Sequence, residues 1–112
     1  KTRHIHLIGG IIIVLVGTKA QNDNPQQLAD SVIYDGTVAM IVSSKNITTC
    51  IIKEGTTRIG KNCFRDCKKL ESIFIPSSVT SIGEEAFYGC DKLAYVHISD
   101  IAAWCKIIFE PG

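Results

Sequence analysis

A β-rich α/β solenoid is the fold the sequence predicts: a right-handed coil of short parallel strands, entered through a β-hairpin. Three observations predict it. From residue 47 onward the apolar residues return with a period of 23 residues. Within each period they alternate with outward positions over a few residues, as a strand that buries one face requires. Ahead of the repeat, two β-prone runs are joined by Asp35-Gly36, residue chemistry that favours a tight hairpin turn.

The period is visible residue by residue. Ile59 matches Ile82, Gly60 matches Gly83, and Phe64 matches Phe87. Cys67 matches Cys90, Leu70 matches Leu93, and Ile75 matches Ile98. A partial earlier copy places Ile47, Cys50 and Ile52 in phase with Leu70, Ile73 and Ile75. A period between about 20 and 29 residues with a Leu-x-x-apolar-x-apolar core is the leucine-rich-repeat signature.

Residues 1–20 run basic, apolar, then small: Lys1 and Arg3, then Leu7-Ile-Gly-Gly-Ile-Ile-Ile-Val-Leu-Val16, then Gly17-Thr-Lys-Ala20. That order predicts a secretory signal peptide, with a buried strand or an uncleaved anchor as the alternatives. The apolar run falls short of the roughly 20 residues that span a bilayer, so no membrane span is expected in the mature chain. Residues 21–31 are polar, contain Pro25 and form a flexible lead-in. Residues 32–46 hold the hairpin, placed to cover the open end of the coil. Residues 47–112 form the repeats, two and a half to three rungs.

Each repeat explains itself physically. Leu70, Ile73 and Ile75 turn inward, while Ser72 and Phe74 alternate outward. Pro76 ends the strand, because proline cannot donate to a sheet ladder. Val79 and Ile82 re-enter the core, Gly83 suits a tight bend, and Glu84-Glu-Ala-Phe87 reads as a helix-compatible turn. One unit cannot bury its own apolar side, so copies must stack about 4.8 Å apart. Few rungs predict modest stability.

Composition excludes some functions. The 112 residues carry 12 basic and 11 acidic side chains, a net charge of +1 with no clustered basic face. Nucleic acid is therefore not an expected partner. No Ser/His/Asp grouping, phosphate loop or paired carboxylate site appears, so no catalytic residue, cofactor or enzyme activity is expected; Glu84-Glu85 reads as a solvated edge. The cysteines are Cys50, Cys63, Cys67, Cys90 and Cys105. Cys67 and Cys90 share one repeat position and read as a stack of buried thiols, with an inter-rung disulfide as the alternative. Cys63 and Cys67 lack the further ligands that a zinc site needs, so no metal is expected. Trp104 follows Ser99-Asp100, a plausible helix cap, and reads as a core residue sealing the last rung. Asn46-Ile47-Thr48 is a glycosylation sequon, relevant only in a eukaryotic host.

The stretch Ile75-Pro-Ser-Ser-Val-Thr-Ser-Ile-Gly-Glu-Glu-Ala-Phe-Tyr-Gly-Cys-Asp-Lys-Leu93 closely resembles the BspA-type, or Treponema pallidum-type, leucine-rich repeat. Residues 52–60 and 64–75 look like the same unit, and Ser99-Asp-Ile-Ala-Ala-Trp-Cys105 resembles a variant segment that interrupts repeats in that family. The likeness covers residues 34–110. Cys63 departs from it, standing where the copy has Ala86. The last copy breaks off at Glu110-Pro-Gly112 and no initiator Met is present, which suggests a partial chain or a short gene.

The resemblance implies a secreted or cell-surface protein that binds other proteins, host extracellular or cell-surface proteins among them, or mediates adhesion; no catalytic residue comes with it. Sheet faces of solenoids are commonly the binding face. The candidate ligand-binding residues are accordingly two outward columns: Ile51, Phe74 and His97, and beside them Thr49, Ser72 and Tyr95. The alternatives are a structural stalk or capping segment of a longer surface protein and an accessory domain of a secreted enzyme.

Overall fold

A computed structural model describes residues 13–16 and 31–111. The expected leader, 1–20, and lead-in, 21–31, lie outside these residues apart from Ile13–Val16 and Ser31. The strands are β1 (Ile13–Val16), β2 (Val32–Asp35), β3 (Val38–Val42), β4 (Thr49–Ile51), β5 (Arg58–Ile59), β6 (Ser72–Ile75), β7 (Ser81–Ile82), β8 (Tyr95–Ile98) and β9 (Ile108–Phe109). One short helix, α1 (Ile101–Lys106), precedes β9.

The strands form two sheets that wind as one coil. Sheet A has the order β1-β8-β6-β4, and sheet B the order β2-β3-β5-β7-β9. Every pairing is parallel except β2 with β3. Thr49, Ser72 and Tyr95 lie side by side, as do Ile51, Phe74 and His97, so register advances by one sequence period per coil. The hairpin caps sheet B: β3 runs alongside β5, and β2 turns back on its outer edge.

The hairpin differs from its sequence reading in two details. Asp35 pairs with Val38, so the turn is Gly36-Thr37 rather than Asp35-Gly36, with Gly36 supplying the left-handed φ of 60° that such a turn demands. Ile33 pairs with Ile41 but Tyr34 with Ala39, which leaves Met40 as an extra residue in a β-bulge. The bulge breaks the inward–outward alternation, so Met40 and Ile41 both face solvent.

Between the sheets lies one continuous apolar core. Cys50, Ile73 and Val96 stack inside sheet A, and Ile52, Ile75 and Ile98 beside them. Phe64 and Phe87 stack with ring centroids 5.3 Å apart and planes 1° from parallel. Trp104 is buried and meets the edge of Phe109 at 5.9 Å. Asp100 caps α1 by accepting a hydrogen bond from the Ala102 amide at 3.0 Å, satisfying an otherwise orphaned donor. Thr56 is a polar exception: it occupies the repeat position of Val79, and its buried hydroxyl has no hydrogen-bond partner.

The third side of the coil is not helical. Over residues 61–66 and 84–89 the chain makes successive hydrogen-bonded turns, such as Ala86 N to Gly83 O and Tyr88 N to Glu85 O, both at 3.2 Å. Left-handed residues recur at matching positions, Asn62 with Glu85 and Asp66 with Gly89, and interrupt any helix. The amides this frees pair between coils instead: Asn62 N, Phe64 N and Asp66 N donate to the carbonyls of Glu84, Ala86 and Tyr88. Gly83 serves this close approach rather than a bend, since a Cβ there would stand 2.5 Å from the Lys61 amide nitrogen. Charge follows the same stacking. Lys61 meets Glu84 and Lys68 meets Asp91, each at 3.5 Å, and Arg65 meets Glu85, so a basic turn rests on an acidic one.

Candidate functional site

The outward face of sheet A is the candidate site. Strands of three or four residues form here because β-branched and aromatic residues alternate and because Pro76 stops β6 before it can lengthen. Alternation sends Ile73 and Ile75 to the core and leaves Ser72 and Phe74 outside. The six candidate residues come together as the register requires: Thr49–Ser72–Tyr95 in one column and Ile51–Phe74–His97 in the next. Tyr95 is exposed and the other five are half-buried. None of the six carries a formal charge at neutral pH.

The centre of the face is an aromatic stack. Phe74 and His97 lie with centroids 3.9 Å apart and planes 7° from parallel. Tyr95 leans toward His97 at 6.4 Å, tilted by 36°. Partial burial holds the His97 imidazole below its ordinary value, which keeps it neutral at pH 7. The two stacked rings turn toward each other, so the surface between β6 and β8 presents ring edges and aliphatic carbon rather than open ring faces. Such a strip suits apolar contact and hydrogen bonding with a protein surface better than flat stacking under a sugar or a base.

Elsewhere the side chains are occupied structurally. Cys50, Cys63, Cys67 and Cys90 are buried free thiols, and Cys105 is exposed. Burial pushes Cys50 and Cys63 up to about 12, which leaves them protonated and unreactive. The Cys90 thiol donates to the Phe64 carbonyl at 3.0 Å, tying one coil to the next. Among the described residues no group of three or more His, Cys, Asp or Glu is placed to hold a metal ion. Arg58 grips Glu110 through two hydrogen bonds of 2.7 and 3.0 Å across sheet B. Asn46 of the sequon is exposed in a turn. Sequence reasoning missed a second apolar patch, Ile33, Met40 and Ile41 on the hairpin, because nothing in the residue pattern marks the bulge that creates it.

Comparison with known proteins agrees with this geometry. The sequence profile of the BspA type leucine rich repeat region matches residues 38–110, in six copies. Among solved structures, a leucine rich cell surface protein from Faecalibacterium prausnitzii A2-165 is similar, with 39% identity and a TM-score of 0.55. The match covers 59% of this chain and 18% of that one. Curated proteins give no match.

Proposed function

The chain belongs to the BspA type leucine-rich repeat family, and from that premise we propose that the outward face of sheet A is the protein-binding surface of an exported or cell-surface repeat protein. One observation carries this reading. The face is an uncharged strip with Phe74, His97 and Tyr95 in mutual reach, whereas the ionic side chains of the turn region pair with each other. Aromatic residues concentrated on an accessible and otherwise neutral face are what protein interfaces favour at their centres. Repeats of this family are scaffolds rather than enzymes, and the similarity to a cell-surface protein supports a surface location. Among the described residues no helix is long and apolar enough to cross a membrane. The role that fits is adhesion through a host extracellular or cell-surface protein.

The test is a surface-plasmon-resonance panel of immobilised extracellular-matrix and host cell-surface proteins. Saturable binding of the unaltered chain is expected, weakened about tenfold or more by Phe74→Ala/Tyr95→Ala/His97→Ala with the circular dichroism spectrum unchanged. Unaltered affinity in the triple variant removes the face from the binding role. A structural segment within a longer surface protein is the second reading, favoured by the small share, 18%, of the similar structure that the chain spans. It predicts no binding to any member of the panel.

A further inference from the structure

β8 is the last repeat strand of sheet A, and β6 occupies only its inner edge. On the outer edge lies β1, parallel and in unbroken register: Ile13 beside Tyr95, Val14 beside Val96, Leu15 beside His97 and Val16 beside Ile98. The segment has the makeup this position asks for. Ile13-Val-Leu-Val16 carries no charge, proline or glycine, and all but Leu15 are β-branched. Wherever Ser72-Ile-Phe-Ile75 and Tyr95-Val-His-Ile98 both place an aliphatic residue, the segment places valine.

We propose that the outer edge of β8 is a strand-acceptor site and that residues 13–16 are its occupant, a removable end-cap standing where a further coil would stand. An open edge leaves backbone donors and acceptors unpaired and invites association with other chains. On sheet B, β9 already covers β7, so the cap closes the matching end of sheet A. Reach is not an obstacle. Residues 17–30, fully extended, cover about 46–50 Å. The largest dimension of the molecule is 37 Å, so this stretch can pass from the cap at one end to the hairpin at the other.

In the register, Leu15 continues the column of Ile51, Phe74 and His97, and Ile13 that of Thr49, Ser72 and Tyr95. These residues lie within the stretch expected as an export leader. The edge is therefore closed in a chain that keeps the leader and open in one without it.

The cap and its test are independent of the binding role, because the readout is amide exchange and not affinity for a ligand. Hydrogen exchange of residues 1–112 is compared with that of the Ile13→Pro/Leu15→Pro variant, which removes the two β1 backbone donors that the parallel register turns toward β8. Exchange at Val96 and Ile98, whose amides face the cap, is expected to rise about tenfold or more in the variant, with Ser72–Ile75 as protected as before. A soluble probe peptide carrying Ile-Ile-Ile-Val-Leu-Val between lysine tags should restore protection to Val96 and Ile98, and its proline-bearing counterpart should not. Dimerisation of the variant with Val96 and Ile98 protected again would also mark the edge as an acceptor, then filled by a second copy. Equal exchange in the two chains overturns the proposal. So does a rise that neither the peptide nor dimerisation reverses. Loss of protection at Ser72–Ile75 together with Val96 and Ile98 overturns it too, since residues 13–16 would then belong to the core.

Discussion

Two pairs of rings stack one coil apart, Phe64 on Phe87 inside the molecule and Phe74 on His97 outside it. The geometry is alike, but the surroundings are not. Phe64 and Phe87 are buried among aliphatic and cysteine side chains, so their contact is part of what holds the coils together. Phe74 and His97 sit half-exposed on a sheet whose opposite face already fills the core. The inner stack is a condition of folding, and the outer one is a contact that folding leaves at the surface.

That contrast can be broken by measurement. Phe64→Ala should cost the most, about 3–5 kcal/mol for an emptied aromatic site in a core. Each kcal/mol lowers the melting temperature of a domain this size by roughly 4–8 °C, so thermal denaturation followed by circular dichroism would show a large drop or no folded protein. Gly83→Ala comes next. Its new methyl meets backbone rather than a movable side chain, and a loss of about 1–3 kcal/mol is expected from urea titration. A cost near zero would mean that the coils can separate locally.

Thr56→Val reverses the sign. It replaces a buried hydroxyl that lacks a partner with the residue type found one coil later at Val79, and should raise the urea-derived stability by about 1 kcal/mol. Phe74→Ala should change stability by less than about 1 kcal/mol by the same measurement, because only a half-exposed ring contact is lost. A cost comparable to that of Phe64→Ala would show that the outer stack is structural after all.

The smallest effect concerns pH. The folded state holds His97 below its unfolded value, so no penalty exists above that value. As pH falls through about 6.5 the unfolded chain takes up its proton first, and stability declines until the folded imidazole titrates as well. His97→Phe should therefore lose slightly less melting temperature than the unaltered chain between pH 7.5 and 5. Identical slopes would remove His97 from the pH response.

Much of this was legible in the sequence, because a solenoid writes its contacts at a fixed spacing. Leu70 and Leu93, Phe64 and Phe87, and both outward columns could be paired by period alone, and Asp100 could be read as a cap. What escaped lies where backbone conformation, not side-chain polarity, decides. Glu84–Phe87 has the composition of a helix, but the left-handed backbone at Glu85, shared with Asn62 one coil earlier, leaves the Glu84 and Ala86 carbonyls to accept from amides of the neighbouring coil. The Met40 bulge leaves no mark in residue polarity, so the hairpin's exposed apolar patch could not be foreseen. The place of Ile13–Val16 beside β8 belongs to no repeat, and periodicity is silent about it.

The alternation of Lys61, Arg65 and Lys68 with Glu84, Glu85 and Asp91 has a consequence for how such a molecule can grow. Tandem duplication of the coil bearing the lysines would set cation against cation, and duplication of its neighbour would set carboxylate against carboxylate. Copying the two together keeps these three pairs opposite in sign, so the charge pattern along this turn repeats over a pair of coils.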